Sequence, residues 1–187
     1  MVGVIIEAIY IKNLGGKEMI TIENYLTVEK DVESVWKFFN DVAAIAGCVP
    51  TCRSFQKIDE NTVSCDLRLK LGLIPLDSKA VVSITERKND RYLEARGETE
   101  PGEVTKKFGK LVTESKTKLH IILELEEINP TKTRIHFKIN ANAVGQMKRI
   151  YESIIGGQRA KLESQFVANV GKVMGAPIVI EGLPQVA

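Results

Sequence analysis

The sequence predicts an α+β fold in which a strongly curved antiparallel sheet wraps around one long C-terminal helix, with two short helices after the first strand. Three observations carry this reading. Several segments place apolar residues at every second position with polar residues between them, the pattern of a sheet with one face in water. Turn signals separate those segments at short intervals after Pro50. One segment of helical periodicity, from about Gln146 to Val170, follows the last strand and is long enough, at about 1.5 Å per residue, to cross a whole sheet.

Composition bounds the class. A chain of 187 residues suits one domain and can bury about 70% of its unfolded surface without staples. Its 44% hydrophobic and 27% charged residues are those of an ordinary globular protein, so the chain folds on its own. The 26 basic and 24 acidic residues are interleaved, which leaves no strong field to attract nucleic acid, and none is expected as a partner. An odd count of three cysteines without a secretory leader predicts free thiols in a reducing, cytoplasmic compartment. The spacing Cys48-Val49-Pro50-Thr51-Cys52 is wider than a CxxC pair, and with only two histidines no metal site or cofactor is expected.

The elements follow in order. Residues 1–18 form an N-terminal extension in which Val2 to Ile11 is apolar apart from Glu7, far short of the ~20 residues of a membrane span. Either it adds a strand or translation starts at Met19. The main domain covers residues 19–170. Ile20, Ile22, Leu26 and Val28 alternate as a half-buried strand. Asp31 then caps a helix whose Val32, Val35, Trp36 and Phe39 share one face, ending near Asn40-Asp41. A second short helix through Ala43 to Ala46 stops at Gly47.

After Pro50, four or five strands are expected between turns at Asp59-Glu60-Asn61, Gly72 to Pro75, Lys88-Asn89-Asp90, Pro101-Gly102 and Asn129-Pro130. Val63, Cys65, Leu67, Leu69 and Leu71 share one face, as do Leu119, Ile121, Leu123 and Leu125, and Ile135, Phe137 and Ile139. The apolar stripe of the long helix includes Met147, Ile150, Tyr151, Ile154, Leu162, Phe166 and Val170. Gly156 and Gly157 interrupt it, each at a cost of about 1 kcal/mol relative to Ala. A kink or close packing is the first reading, and room for a guest molecule the sharper one. Residues 171–187, with Pro177, Gly182 and Pro184, form a tail that packs or docks on a partner.

No catalytic template appears: the chain has no GxSxG, HExxH, GxxxxGK[ST] or GxGxxG. By parity His120 and His136 face outward, and the carboxylates of Glu126-Glu127 and Glu98 with Glu100 are solvated charge at strand ends. With no acid and base in evidence, concavity carries the functional expectation. A curved sheet closed by a helix with a glycine notch makes an apolar pocket of a few hundred Å³, the usual form of a small-ligand site. Its expected lining is Trp36 and Phe39 from the first helix, Cys48 and Pro50, then Cys65, Leu67, Ile121, Leu123, Phe137 and Ile139 from the strands. The long helix would add Ile154, Gly157, Gln158 and Leu162. Gln158 either offers a hydrogen bond inward or faces water at the stripe's edge. Cys48 and Cys65 read as small core residues rather than nucleophiles, and Trp36 as core with a pocket wall as the alternative. The apolar turn Gly72-Leu73-Ile74-Pro75-Leu76 is expected to pack on a neighbouring loop, with a sticky rim as the minority reading.

The stretch Val35-Trp36-Lys37-Phe38-Phe39-Asn40-Asp41, followed by Cys48-Val49-Pro50-Thr51-Cys52, resembles the signature of the carbon monoxide dehydrogenase G-subunit (CoxG-like) family. That family lies within the START-like (SRPBCC) helix-grip superfamily, whose fold is also called Bet v 1-like. The C-terminal run Ile154-Ile155-Gly156-Gly157-Gln158-Arg159-Ala160-Lys161-Leu162, with Gln165-Phe166, is similar to that family's closing helix. Thr51 stands where the family usually has Gly. The resemblance implies a non-enzymatic carrier of an apolar, quinone- or lipid-like molecule that serves a carbon monoxide dehydrogenase-type molybdenum hydroxylase. It implies at most peripheral contact with the inner face of the membrane. The same superfamily hosts polyketide-cyclase and hydratase-like enzymes in the same cavity, and a pure protein-interaction component is the third class.

Overall fold

A computed structural model describes residues 19–71, 73–102, 116–143 and 145–181. The N-terminal extension, Gly72, most of the basic segment after Gly102, Val144 and the last six residues lie outside the described residues.

Strand β1 (Met19–Val28) leads into α1 (Val32–Phe39) and α2 (Val42–Cys48), and strands β2 (Cys52–Lys57), β3 (Thr62–Leu71), β4 (Ile74–Lys88), β5 (Tyr92–Pro101), β6 (Thr117–Asn129) and β7 (Lys132–Asn142) follow. The chain then enters α3 (Gly145–Met174) and ends in the short β8 (Ile178–Ile180). Among the described residues six strands thus lie between the short helices and the long one, because a turn signal falls between each consecutive pair. The eight strands form one sheet in the order β2-β3-β4-β5-β6-β7-β1-β8, with every neighbouring pair antiparallel.

Local chemistry sets the boundaries. The Asp31 carboxylate accepts from the Ser34 amide at 2.8 Å to start α1, and Asp41 accepts from the Ala43 and Ala44 amides to start α2. α2 runs through the expected stop at Gly47 to Cys48. Between β4 and β5, Asn89 and Asp90 both hold φ of 51°, a left-handed conformation that short polar side chains tolerate. α3 continues past Val170 to Met174, and Gly175 turns the chain at φ 67° so that Ile178–Ile180 can pair with β1.

Parity holds through the middle of the β6, β7 and β1 ladders. Leu125 pairs with Ile135 and Leu123 with Phe137 across β6 and β7, while Ile135 pairs with Leu26 across β7 and β1. These inward residues merge with Val32 and Val35 of α1, Val42 and Ala46 of α2 and Val167 of α3 in one core. Three side-chain contacts set α3 over the sheet. Asn169 donates to the Cys48 carbonyl at 3.0 Å, Gln158 to the Lys70 carbonyl at 2.5 Å, and Asn24 of β1 to Glu163 at 2.9 Å. The helix is therefore fixed to α2, to the end of β3 and to β1.

Candidate ligand-binding site

The inward face of the sheet has a packed half and an open half. On β6 and β7, Leu125, Leu123 and Ile135 are buried, whereas Phe137, Ile121, Ile139, Leu119 and Ala141 are half-buried. On β3 the same change falls between Cys65, which is buried, and Leu67 and Leu69, which are half-buried. Gly156 and Gly157 of α3 are exposed, and no described atom lies within 4 Å of where a Cβ would stand on either. Close packing against a strand, the first expectation for these glycines, is not what the structure has: α3 is an unbroken helix there, with open space beside it.

The expected lining residues divide between the two halves. Leu67, Ile121 and Phe137 are half-buried at the edge of the open part and pack against the core, Ile139 is half-buried beyond them, and Leu162 is half-buried on α3. Leu123 belongs to the core, and Trp36 and Phe39 pack against that core from α1. Cys48 is 1% exposed beneath the C-terminal half of α3, where burial pushes its thiol pKa up, and Pro50 is half-buried beside it in the chain. Cys65 is a buried core residue whose pKa is pushed up to about 12, by burial first and then by the Cys52 thiol. The side chain of Ile154 lies outside the described residues. Gln158 spends its amide N–H on the Lys70 carbonyl, so it ties the helix to the β3–β4 hairpin. At that hairpin's tip Leu73 is 99% exposed, which corrects the expectation that it packs on a loop.

Sequence reasoning missed a polar cluster beneath α3. Asn24 interrupts the inward alternation of β1, pairing with the inward Phe137. Its amide donates to Glu163, which also accepts from Arg159 Nε at 2.6 Å one helical turn away. The Arg159 Nη2 reaches toward the Glu23 carbonyl and Asn24 Oδ1, both at 3.4 Å. The signal was available as a polar residue at an apolar parity and an i, i+4 charge pair on the helix. Thr117, 0% exposed and opposite the buried Thr99, has a hydroxyl without a hydrogen-bond partner among the described residues. The inward face is thus apolar with a few polar points, and its carboxylate is neutralised by an ion pair. Among the described residues no cluster of His, Cys, Asp or Glu is arranged to hold a metal ion.

Both histidines lie on the outer face, as parity requires. His136 is held between Glu124 (2.9 Å) and Glu23 (2.6 Å) and stacks on Tyr25, while His120 Nε2 lies 3.0 Å from Glu94. A separate open groove of about 470 Å³ lies between the end of α3 and the turn into β8, lined by Val167, Gly171, Ala176 and Ile178 among others.

The family model for the carbon monoxide dehydrogenase G subunit (CoxG) matches residues 25–175. No curated protein matches the chain. Among solved structures, a conserved protein from Geobacillus kaustophilus is similar with a TM-score of 0.65 and 19% identity, over 83% of this chain and 97% of that one. A START superfamily protein from Mycobacterium smegmatis aligns with a TM-score of 0.56 and 9% identity, over 82% and 98% of the two chains. The Zhui aromatase/cyclase from Streptomyces aligns with a TM-score of 0.51 and 11% identity, over 83% and 96%. At these identities the likeness is one of fold, and it agrees with the START-like, helix-grip architecture.

Proposed function

Because the chain belongs to the CoxG family of carbon monoxide dehydrogenase G subunits, we propose that it is a non-enzymatic binding protein that holds a quinone- or lipid-like molecule between α3 and the open half of the sheet. In this reading it delivers that molecule to or from a carbon monoxide dehydrogenase-type molybdenum hydroxylase in the cytoplasm, with at most peripheral membrane contact. No helix among the described residues is long and apolar enough to cross a membrane.

The observation that carries the proposal is the burial gradient. One end of the inward face is a close-packed core, and beyond its edge, where Leu67, Ile121 and Phe137 pack against it, these residues and Ile139 are only half-buried. Apolar area left in that state is stabilised by an apolar occupant, at about 25 cal/mol for each Å² removed from water. Thr117 and the Asn24–Arg159–Glu163 cluster supply the few polar groups that orient such a guest. A cyclase-type enzyme receives less support, since the described inward carboxylate, Glu163, is tied to Arg159 and Asn24 instead of facing an acid or base across open space.

The test is native mass spectrometry of the protein purified from its own host, followed by solvent extraction. An apolar adduct is expected, displaced by a short-chain benzoquinone or a fatty acid, and weakened at least tenfold by Ile121→Trp, which fills the open half. A protein that carries no adduct and binds neither probe is not a carrier.

A further inference from the structure

The groove between the end of α3 and β8 is not used by the binding function, and it adjoins an unpaired edge of the sheet. β8 is the last strand in the sheet order, with β1 on one side and no described strand on the other. The Glu181 amide donates to the Tyr25 carbonyl at 2.8 Å, so the backbone groups of Glu181 and, two residues back, of Val179 face β1. Those of Ile178 and Ile180 therefore face the free side. The side chains of both isoleucines pack against the core, which holds this edge in place. The groove of about 470 Å³ opens beside the start of the same strand, between Ala176, Pro177 and Ile178 and the α3 residues Val167, Gly171 and Lys172.

The chain bends into a turn at Glu181, and the run Gly182-Leu183-Pro184-Gln185-Val186-Ala187 that follows has the pattern such an edge requires. We propose that residues 182–187 fold back on β8 as a further antiparallel strand and lie along the groove. Ile180 then pairs with Leu183 across a two-residue turn of Glu181 and Gly182. This sets a glycine at the third position of the turn, where type I′ and type II turns need a positive φ. The Leu183 amide donates to the Ile180 carbonyl, and the Ile180 amide donates to the Leu183 carbonyl. Pro184 falls opposite Val179, where a backbone nitrogen points away from β8, so its missing N–H forfeits no ladder bond. A slip of one residue would turn the proline nitrogen toward β8, where a donor is needed. The Gln185 amide donates to the Ile178 carbonyl. Leu183 shares the inward face with Ile180, whose partner on β1 is the buried Leu26. Val186 and Ala187, at about 3.4 Å of rise each, continue past Ile178 along Pro177 and Ala176. The free edge is closed by the chain itself and is no longer open to a strand from another molecule.

The experiment is NMR on the isotope-labelled full chain. An Hα–Hα cross-peak between Val179 and Pro184 is expected, since the backbones come closest in a pair without hydrogen bonds. The amides of Ile180, Leu183 and Gln185 are expected to exchange about a hundredfold more slowly than in an unfolded peptide. Leu183→Pro removes a ladder donor and should abolish both the cross-peak and the protection of Ile180, whereas Pro184→Ala should leave the protection intact. Protection of the β1–β7 ladder checks that each variant is folded. In a mixture of labelled and unlabelled chains the cross-peak should stay within one chain. Peptide-like exchange at Leu183 and Gln185, a cross-peak in another register, or one that joins two chains overturns the proposal.

Discussion

His136 makes the outer face of the sheet sensitive to pH. Burial opposes its charge, but hydrogen bonds to Glu124 and Glu23 outweigh that effect and raise its pKa above 6.5. Lys138 also faces Glu23, and the Tyr25 ring stacks on the imidazole at 4.5 Å. A raised histidine pKa stabilises the fold in full below 6.5 and loses that contribution as pH rises through the folded value. Glu23 is depressed, chiefly by the His136 hydrogen bond, so its own contribution holds above 4.5 and is lost as pH falls through the folded value. The unfolding free energy from urea titrations on either side of the histidine window should fall with rising pH by about 0.5 to 1 kcal/mol, the scale of solvent-screened pairs. His136→Gln should flatten the profile there. Parity alone placed His136 outside, but not between two carboxylates, because those partners lie on β1 and β6, far away in sequence. Asn24 shows the converse: its inward position was legible from alternation, and its role required knowing which helix residue passes above it.

The glycines test how far an element's demands show in its sequence. The double glycine of α3 invited a packing explanation, yet an added Cβ meets nothing described within 4 Å there. Gly156→Ala is expected to raise stability by about 1 kcal/mol, the helix-propensity difference, in a denaturant titration. The glycine that packing requires is Gly97 on β5, where a Cβ would stand 2.6 Å from the Val81 carbonyl oxygen and 2.8 Å from a Val82 methyl. Gly97→Ala should cost roughly 1–3 kcal/mol, since backbone cannot withdraw as a flexible side chain does. Strand periods, the Asp31 cap and the places where strands break were legible because each depends on neighbours in sequence. The need for Gly97 was not, because it arises where β4 and β5 approach each other in the folded sheet.

At the scale of the whole molecule the architecture was readable from element order, and the division into packed and open halves was not. Leu67 and Cys65 share a face and a period, yet Cys65 lies in the core with residues of α1 and α2 while Leu67 is half-buried. The β3–β4 tip illustrates the same limit, since Leu73 could pack only if a loop stood beside it. With 99% of its surface in water, Leu73→Ser should leave the thermal midpoint unchanged. Under the carrier reading it should slow the transfer of a short-chain quinone from vesicles, and an unchanged rate would remove the tip from the entry route.

The position of β1 in the sheet governs how the molecule can assemble. It is the first described strand to be synthesised, yet its ladder partners are β7 and β8, the last two. The Thr21–Asn140 contact alone spans 119 residues. On the ribosome β1 thus waits as an unsatisfied apolar strand while β2 to β6 can already pair as consecutive hairpins. Loop-closure entropy puts refolding in the millisecond-to-second range of high-contact-order sheets. During that interval the exposed edge is where a nascent chain would be captured by a chaperone or by another copy of itself.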